Sequence, residues 1–144
     1  MVTGMGTARN QPSLDLLFRT LSDPTRLRIL NLIGDREICV CYFVEVLRLG
    51  QPKISRHLAY LRKVGIVAAR REGKWMHYRL LIPGERAAAA ILRAALTQLE
   101  GREVMRRDRH RLVSASCKPY KFSHLRHAPR PAACPSRACS PPPK

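Results

Sequence analysis

Residues 38 to 65 constrain the chain more than any other stretch, because they set two helices and the turn between them. Gln51 and Pro52 open the second helix, since proline is tolerated in a first turn, where its missing N–H is not needed. Gly65 closes it, because a left-handed residue past a helix end costs glycine least. Between them Ile54, Leu58 and Leu61 recur at i, i+4 and i+7, which buries one face. Lys53, Ser55, Arg56 and His57 lie off that stripe, and Arg62 and Lys63 follow a turn later. A short helix, Tyr42 to Leu47, stands just before, joined by Arg48, Leu49 and Gly50. Helix, tight turn and basic helix form the helix-turn-helix plan, in which the second helix lies in the major groove of DNA. A solvated helix of an ordinary bundle would carry a similar charged face. Two soft ligands, Cys39 and Cys41, sit at the start of the stretch.

The charge of the whole chain favours the first alternative. Its 144 residues carry 27 Lys plus Arg against 10 Asp plus Glu, a net charge of +17. Such a balance suits a polyanion, most simply nucleic acid. No basic amphipathic helix with a large aromatic face points to a membrane surface. No apolar run reaches the ~18 residues that a membrane span needs. The N-terminus lacks the charged-then-apolar pattern of a signal peptide, so a cytoplasmic protein without a membrane partner is expected. Five cysteines are then expected as thiols or metal ligands rather than as a disulfide frame.

Around this centre the chain reads as one domain. Residues 1–12 are expected to form a flexible arm, residues 13–107 the folded domain, and residues 108–144 a disordered tail. Leu14, Leu17, Phe18 and Leu21 make a first helical stripe. Ser22, Asp23 and Pro24 end it and cap a second helix, which carries Leu27, Leu30 and Ile33 inward. After Gly65 the period changes to two. Ile66 to Arg71 and Trp75 to Leu81 read as strands around a turn at Glu72, Gly73 and Lys74. Arg70, Arg71 and Lys74 make this hairpin basic, as in the wing of a winged helix, where cations reach neighbouring phosphates. An ordinary exposed hairpin would also carry basic residues at its edges. The fold class is therefore mainly α with a β-hairpin wing.

A long helix is expected from Glu85 to about Arg107. Ala88, Leu92, Ala95 and Leu99 form one stripe, and Ala87, Ile91 and Ala94 another beside it. So wide an apolar face suits packing on two sides, the domain itself and a second copy, with Leu14 to Leu21 joining the interface. Burial within a monomer is the alternative. From Leu112 onward seven of the eleven prolines appear, and residues 102–144 hold eleven Lys plus Arg against two Asp plus Glu.

Three pieces now stand in order: Ile38-Cys-Val-Cys41, Gln51-Pro-Lys-Ile-Ser-Arg-His-Leu-Ala59 and Glu72-Gly-Lys-Trp-Met-His-Tyr-Arg-Leu80. With that spacing the chain resembles the ArsR family of metalloid-responsive repressors, winged-helix dimers that leave their operator when arsenite or antimonite binds. The resemblance covers about Leu14 to Leu99. It implies a homodimer that binds double-stranded operator DNA through Gln51, Lys53, Ser55, Arg56, His57 and Arg62, with Arg70, Arg71 and Lys74 on the wing. It further implies Cys39 and Cys41 as ligands of As(III) or Sb(III), the inducer. The chemistry agrees, since soft ions choose thiolates over oxygen.

Residues i and i+2 lie on different faces of a helix. Two thiolates closing on one ion are therefore expected to deform the helix start, which would bind the ion unequally in two states. The sequence departs from the family's pattern at Tyr42, where many members have Asp, and at Val44, where close relatives carry a third cysteine. Cys117, Cys134 or Cys139 could supply a third ligand, as could a small-molecule thiol or water. The zinc site of other branches would fall at Ile82, Gly84, Ala95 and Gln98, none of them a useful ligand.

Two other readings compete. A sensor of Cd(II) or Pb(II) would share the fold and the cysteine pair. An architectural nucleic-acid binder would bind any DNA with similar affinity, mainly through its basic tail. No glycine-rich phosphate loop, zinc-helix motif or nucleophile–base pair suggests an enzyme.

Overall fold

A computed structural model describes residues 11–122, 125 and 127–131. Nine regular elements follow one another: α1 (Leu14–Leu21), α2 (Pro24–Ile33), β1 (Glu37–Cys39), α3 (Val40–Leu47), α4 (Gln51–Val64), β2 (Val67–Glu72), β3 (Trp75–Leu80), α5 (Arg86–Glu100) and α6 (Glu103–Cys117). A 3-10 turn at Pro119–Lys121 follows. This is the mainly helical winged helix-turn-helix expected, with α3 and α4 as its two central helices and β2 and β3 as its wing.

Local chemistry explains most boundaries. The Asp23 carboxylate accepts the backbone N–H of Arg26 at 2.9 Å, and Pro24 fills the first position of α2. Gly65 ends α4 with φ at 86°, a left-handed conformation that glycine adopts at little cost. In the wing Glu72 pairs with Trp75, leaving Gly73 and Lys74 as a two-residue turn. Gly73 takes φ 58°, as the first residue of a tight hairpin turn requires. The inward stripes of α2, α3 and α4 meet in one core with Leu17 of α1, Ile38 of β1 and Tyr78 of β3. Phe43 and Tyr78 meet edge to face, ring centroids 6.3 Å apart, and tie α3 to β3.

Three expectations are corrected. First, the sheet has three strands in the order β1-β3-β2. Glu37, Ile38 and Cys39 pair antiparallel with Arg79, Tyr78 and His77. A three-residue strand has no period to read, so it is invisible without its partner. Second, the last helix breaks. α5 ends at Glu100, where Gly101, a poor helix former, lets the chain turn. Third, the folded part does not end near Arg107. Residues 108–117 continue α6, which packs across α2 and α3 and buries Met105, Leu112 and Ala115. Leu125 and Ala128 join the same core. The tail expected over 132–144 lies outside the described residues, as does most of the expected arm.

Among the described residues no helix is long and apolar enough to cross a membrane. The largest exposed apolar side chains of α1 are Leu14 and Phe18, at 46% and 57% exposure. On α5, Ala87, Ala90 and Ala94 are exposed and Ile91 is half-buried.

Candidate nucleic-acid interface and sensor pair

The buried stripe of α4, Ile54, Leu58, Leu61 and Val64, leaves the opposite face to solvent. Gln51, Lys53, Ser55 and Arg56 are all exposed there, with Arg62 further along. The side chains of Gln51, Lys53, Ser55 and Arg56 make no hydrogen bond or ion pair among the described residues. Their donors therefore remain available to an external partner. His57 differs. It is half-buried, with Nδ1 3.8 Å from the Asp23 carboxylate. Burial, more than the neighbouring cations, pushes its pKa down, which favours the neutral ring.

The wing residues divide in the same way. Arg70 is not free: its Nη2 lies 2.5 Å from Glu37 Oε1 and its Nη1 3.1 Å from Glu72 Oε2. It braces the wing against β1 rather than pointing its charge outward. Arg71 donates to the Gly73 carbonyl at 3.0 Å, and Lys74 lies over the Trp75 ring at 5.0 Å. Both remain exposed near the hairpin tip. Sequence reasoning missed Arg26. Its guanidinium sits 4.1 Å from the Tyr60 ring centroid and donates to the carbonyls of Thr20 and Arg19. It thus joins α1, α2 and α4 and fixes how α4 is presented.

The cysteine pair occupies the junction of β1 and α3. Cys39 ends the strand and precedes the helix as its N-cap, with φ −70° and ψ 143°, while Cys41 lies in the first turn. The Cys41 thiol donates to the Cys39 sulfur at 3.0 Å. That hydrogen bond lowers the Cys39 pKa to about 7 against the opposing effect of burial, with help from backbone N–H groups of Cys41, Val40 and Met76. The Cys41 pKa moves up, first because its proton is engaged, then through burial and the neighbouring charge. The two shifts run in opposite directions and favour negative charge on Cys39 over Cys41. A helix N-terminus is where such a charge is best placed.

This geometry corrects the expected clash between the pair and the helix. The rule for i and i+2 applies to two helical residues, and Cys39 is not helical. Two sulfurs on one ion at a bond length of ~2.3 Å stand roughly 3.8 Å apart. The pair stands 3.0 Å apart, so the two sulfurs are already on the same side of the helix start and need not be brought together from different faces.

No sulfur stands ready as a third ligand among the described residues. Cys117 is disulfide-bonded, contrary to the expectation of thiols throughout, whereas Cys39 and Cys41 are free. Cys134 and Cys139 lie outside the described residues. No group of three or more His, Cys, Asp or Glu side chains gathers in a metal-binding arrangement among the described residues. His77, opposite Cys39 in the ladder, is buried and leans to Glu72, its Nε2 3.3 Å away but out of line for a hydrogen bond. Tyr42, which follows Cys41 in the chain, is buried, and its hydroxyl has no hydrogen-bond partner among the described residues.

A short helix, a left-handed turn at Arg48, a helix with an open basic face and a braced hairpin define a winged helix-turn-helix DNA-binding domain. Residues 23–69 match the model of the bacterial regulatory proteins of the arsR family. The chain belongs to that family. It is 52% identical to the arsenic resistance transcriptional regulator ArsR1 of Pseudomonas putida, over 45% of this chain and 52% of that one. It is also 52% identical to the arsenical resistance operon repressor of Escherichia coli, over 44% of this chain and 56% of that one. The chain thus spans about half the length of these curated relatives. Regulators named for cadmium and mercury resistance match at 35% and 46% identity. Among solved structures, reduced HlyU from Vibrio cholerae superposes with a TM-score of 0.52 at 30% identity, covering 61% of this chain and 88% of that one.

Proposed function

We propose that this protein is a transcriptional repressor that binds double-stranded operator DNA as a homodimer and lets go when As(III) or Sb(III) binds Cys39 and Cys41. The observation that carries the reading is the sulfur pair itself, 3.0 Å apart at the start of the helix that leads into α4. α4 supplies base contacts, with Arg56 as the base-reading residue, and Lys74 and Arg71 supply phosphate contacts from the wing. The exposed apolar faces of α1 and α5 supply an isologous interface for a second copy. The two named relatives that regulate arsenic resistance support the inducer assignment. A gel shift on the protein's own promoter DNA, with and without arsenite, tests it. Release at arsenite concentrations that leave Cys39→Ser and Cys41→Ser bound supports the reading; release of the variants alongside the parent protein removes it.

The cadmium and mercury relatives favour a second reading, a sensor of a soft divalent cation at the same pair. Acidity separates the two. Arsenite arrives as As(OH)3, and each new bond releases a hydroxide that must leave as water. A thiolate at Cys39 brings no proton for that step. Arsenite affinity is therefore flat below pH 7, near the Cys39 pKa of about 7, and falls above it by up to about tenfold per unit. Cd(II) displaces the thiol protons instead, so its affinity falls on acidification. Titrations at several pH values read the sign directly.

A further inference from the structure

We propose that Arg48, in the turn between α3 and α4, and Arg111 of α6 form a phosphate-contacting site apart from the wing, joined by Lys118 and Lys121, that holds the DNA backbone beside the groove α4 enters. The inference rests on the operator-binding reading above and adds a contact that neither α4 nor the wing supplies.

The backbone at Arg48 is the first observation. Its φ is 55°, and it is the only left-handed residue other than glycine among the described residues. Glycine is the usual residue at this place after a helix, because a side chain there costs free energy. The Arg48 side chain is exposed and makes no hydrogen bond or ion pair among the described residues, so nothing within the fold accounts for the arginine. A cation kept where glycine would be easier points to a use for the charge. Three residues later Gln51 opens α4, and the first residues of a recognition helix are those nearest the DNA.

The course of α6 is the second. The Met105 carbonyl accepts the Asn31 amide, and one turn further Asp108 takes Arg28. α6 therefore runs antiparallel to α2, and its last turns lie towards the start of α2. At that end Asp23 stands 3.8 Å from His57 of α4. The end of α6 is thus carried to the side of the molecule where α4 begins. Arg111 and Arg48 line one small surface hollow there, with Glu45, Ser114 and Phe122 in its wall.

The third is the balance of charge. Arg111, Ser114 and Lys118 follow at i, i+3 and i+7, which is one face of a helix. Ser114 and Lys118 are exposed, as is Lys121 just beyond, and Arg111 is half-buried. The side chains of Arg111, Lys118 and Lys121 make no hydrogen bond or ion pair among the described residues. Four cations thus meet one carboxylate, Glu45, across the hollow. Arginine, lysine and serine side chains are the ordinary donors to DNA phosphates, and such contacts set affinity without reading sequence.

The test compares the full-length parent with Arg48→Gly, Arg111→Gln, Arg56→Ala and Arg102→Gln. Arg102 lies at the opposite end of α6 and controls for net charge. Fluorescence anisotropy reads binding to operator and to an unrelated duplex of equal length at several salt concentrations, and urea denaturation reads stability. Arg48→Gly removes the cation and relieves the backbone, so its urea midpoint should be unchanged or raised. We expect Arg48→Gly and Arg111→Gln each to bind both duplexes at least about tenfold more weakly at 0.1 M salt. The salt slope should fall by about one unit for each subunit, and the preference for operator should hold. Arg102→Gln should bind as the parent does. Parent-like affinity and slope for Arg48→Gly and Arg111→Gln, with operator preference lost in Arg56→Ala, overturn this site and leave the α4 reading standing. An equal loss in Arg102→Gln assigns the effect to net charge and overturns it too, as does a loss of operator preference alone. If Arg56→Ala also keeps its preference, the α4 reading falls as well.

Discussion

α4 and α6 are two basic helices of 14 and 15 residues that use their charge in different ways. On α4, Lys53 and Arg56 stand exposed, and their side chains make no hydrogen bond or ion pair among the described residues. On α6 two of the four arginines, Arg106 and Arg109, find partners within the fold, and so does its buried acid. Asp108 is fully buried and takes both arms of Arg28, at 2.6 and 2.7 Å. Arg109 donates to Asn31 and to the Glu100 carbonyl, and Arg106 pairs with Glu103. Asn31 in turn donates to the Met105 carbonyl at 3.2 Å. The density of basic residues is therefore a poor guide to a DNA face. A better one is whether the protein itself already satisfies them.

Removing the second helix should have the largest effect. Cutting after Gly101 takes away Met105, Leu112 and Ala115 from the core together with the partner of Arg28. Burying each large apolar side chain contributes about 1.5–3 kcal/mol, so the loss should exceed ~4 kcal/mol, read by urea denaturation. An unchanged midpoint would make α6 an appendage. Next comes Asp108→Ala. Breaking a buried pair costs ~3–5 kcal/mol, but the Arg28 side chain is 24% exposed and partly hydrated, so roughly 2 kcal/mol is expected. Operator affinity per folded molecule should not change. A selective loss of operator binding at constant stability would put Asp108 in the binding machinery.

Arg56→Ala should do the reverse. Operator preference should fall by about 1–3 kcal/mol in a competition binding assay, while stability stays within ~0.5 kcal/mol. If stability falls and preference holds, the contrast between the helices is wrong. Smallest are the wing changes. Lys74→Ala should lower the salt slope of binding by about one unit for each subunit of the dimer. Arg70→Ala should leave that slope alone, because its charge is already matched by Glu37 and Glu72. Equal slopes for the two variants would show that Arg70 leaves its carboxylates to meet phosphate.

The contrast also explains what the sequence could reveal. α4 was legible because its signals are local: Pro52 at one end, Gly65 at the other and an unbroken apolar stripe between. The Gly73 turn is local in the same sense. α6 was not legible, since its inward stripe contains Asp108, which looks solvent-facing until Arg28, 80 positions earlier, comes alongside. β1 depends on β3 in the same way. The two cysteines were legible as a pair, but not their geometry. Cysteine carries no capping preference, so nothing in the sequence marked Cys39 as the residue outside the helix. That one-residue boundary sets the two sulfurs side by side instead of on different helix faces.

The central claim is that the pair at the start of α3 controls the open basic face of α4. Titrating arsenite into the full-length protein bound to fluorescent promoter DNA tests it most directly, with Cys41→Ser measured beside the parent. The account predicts equal DNA affinity for both without arsenite, and release of the parent alone when arsenite is added. Release of Cys41→Ser at the same arsenite concentration would contradict it.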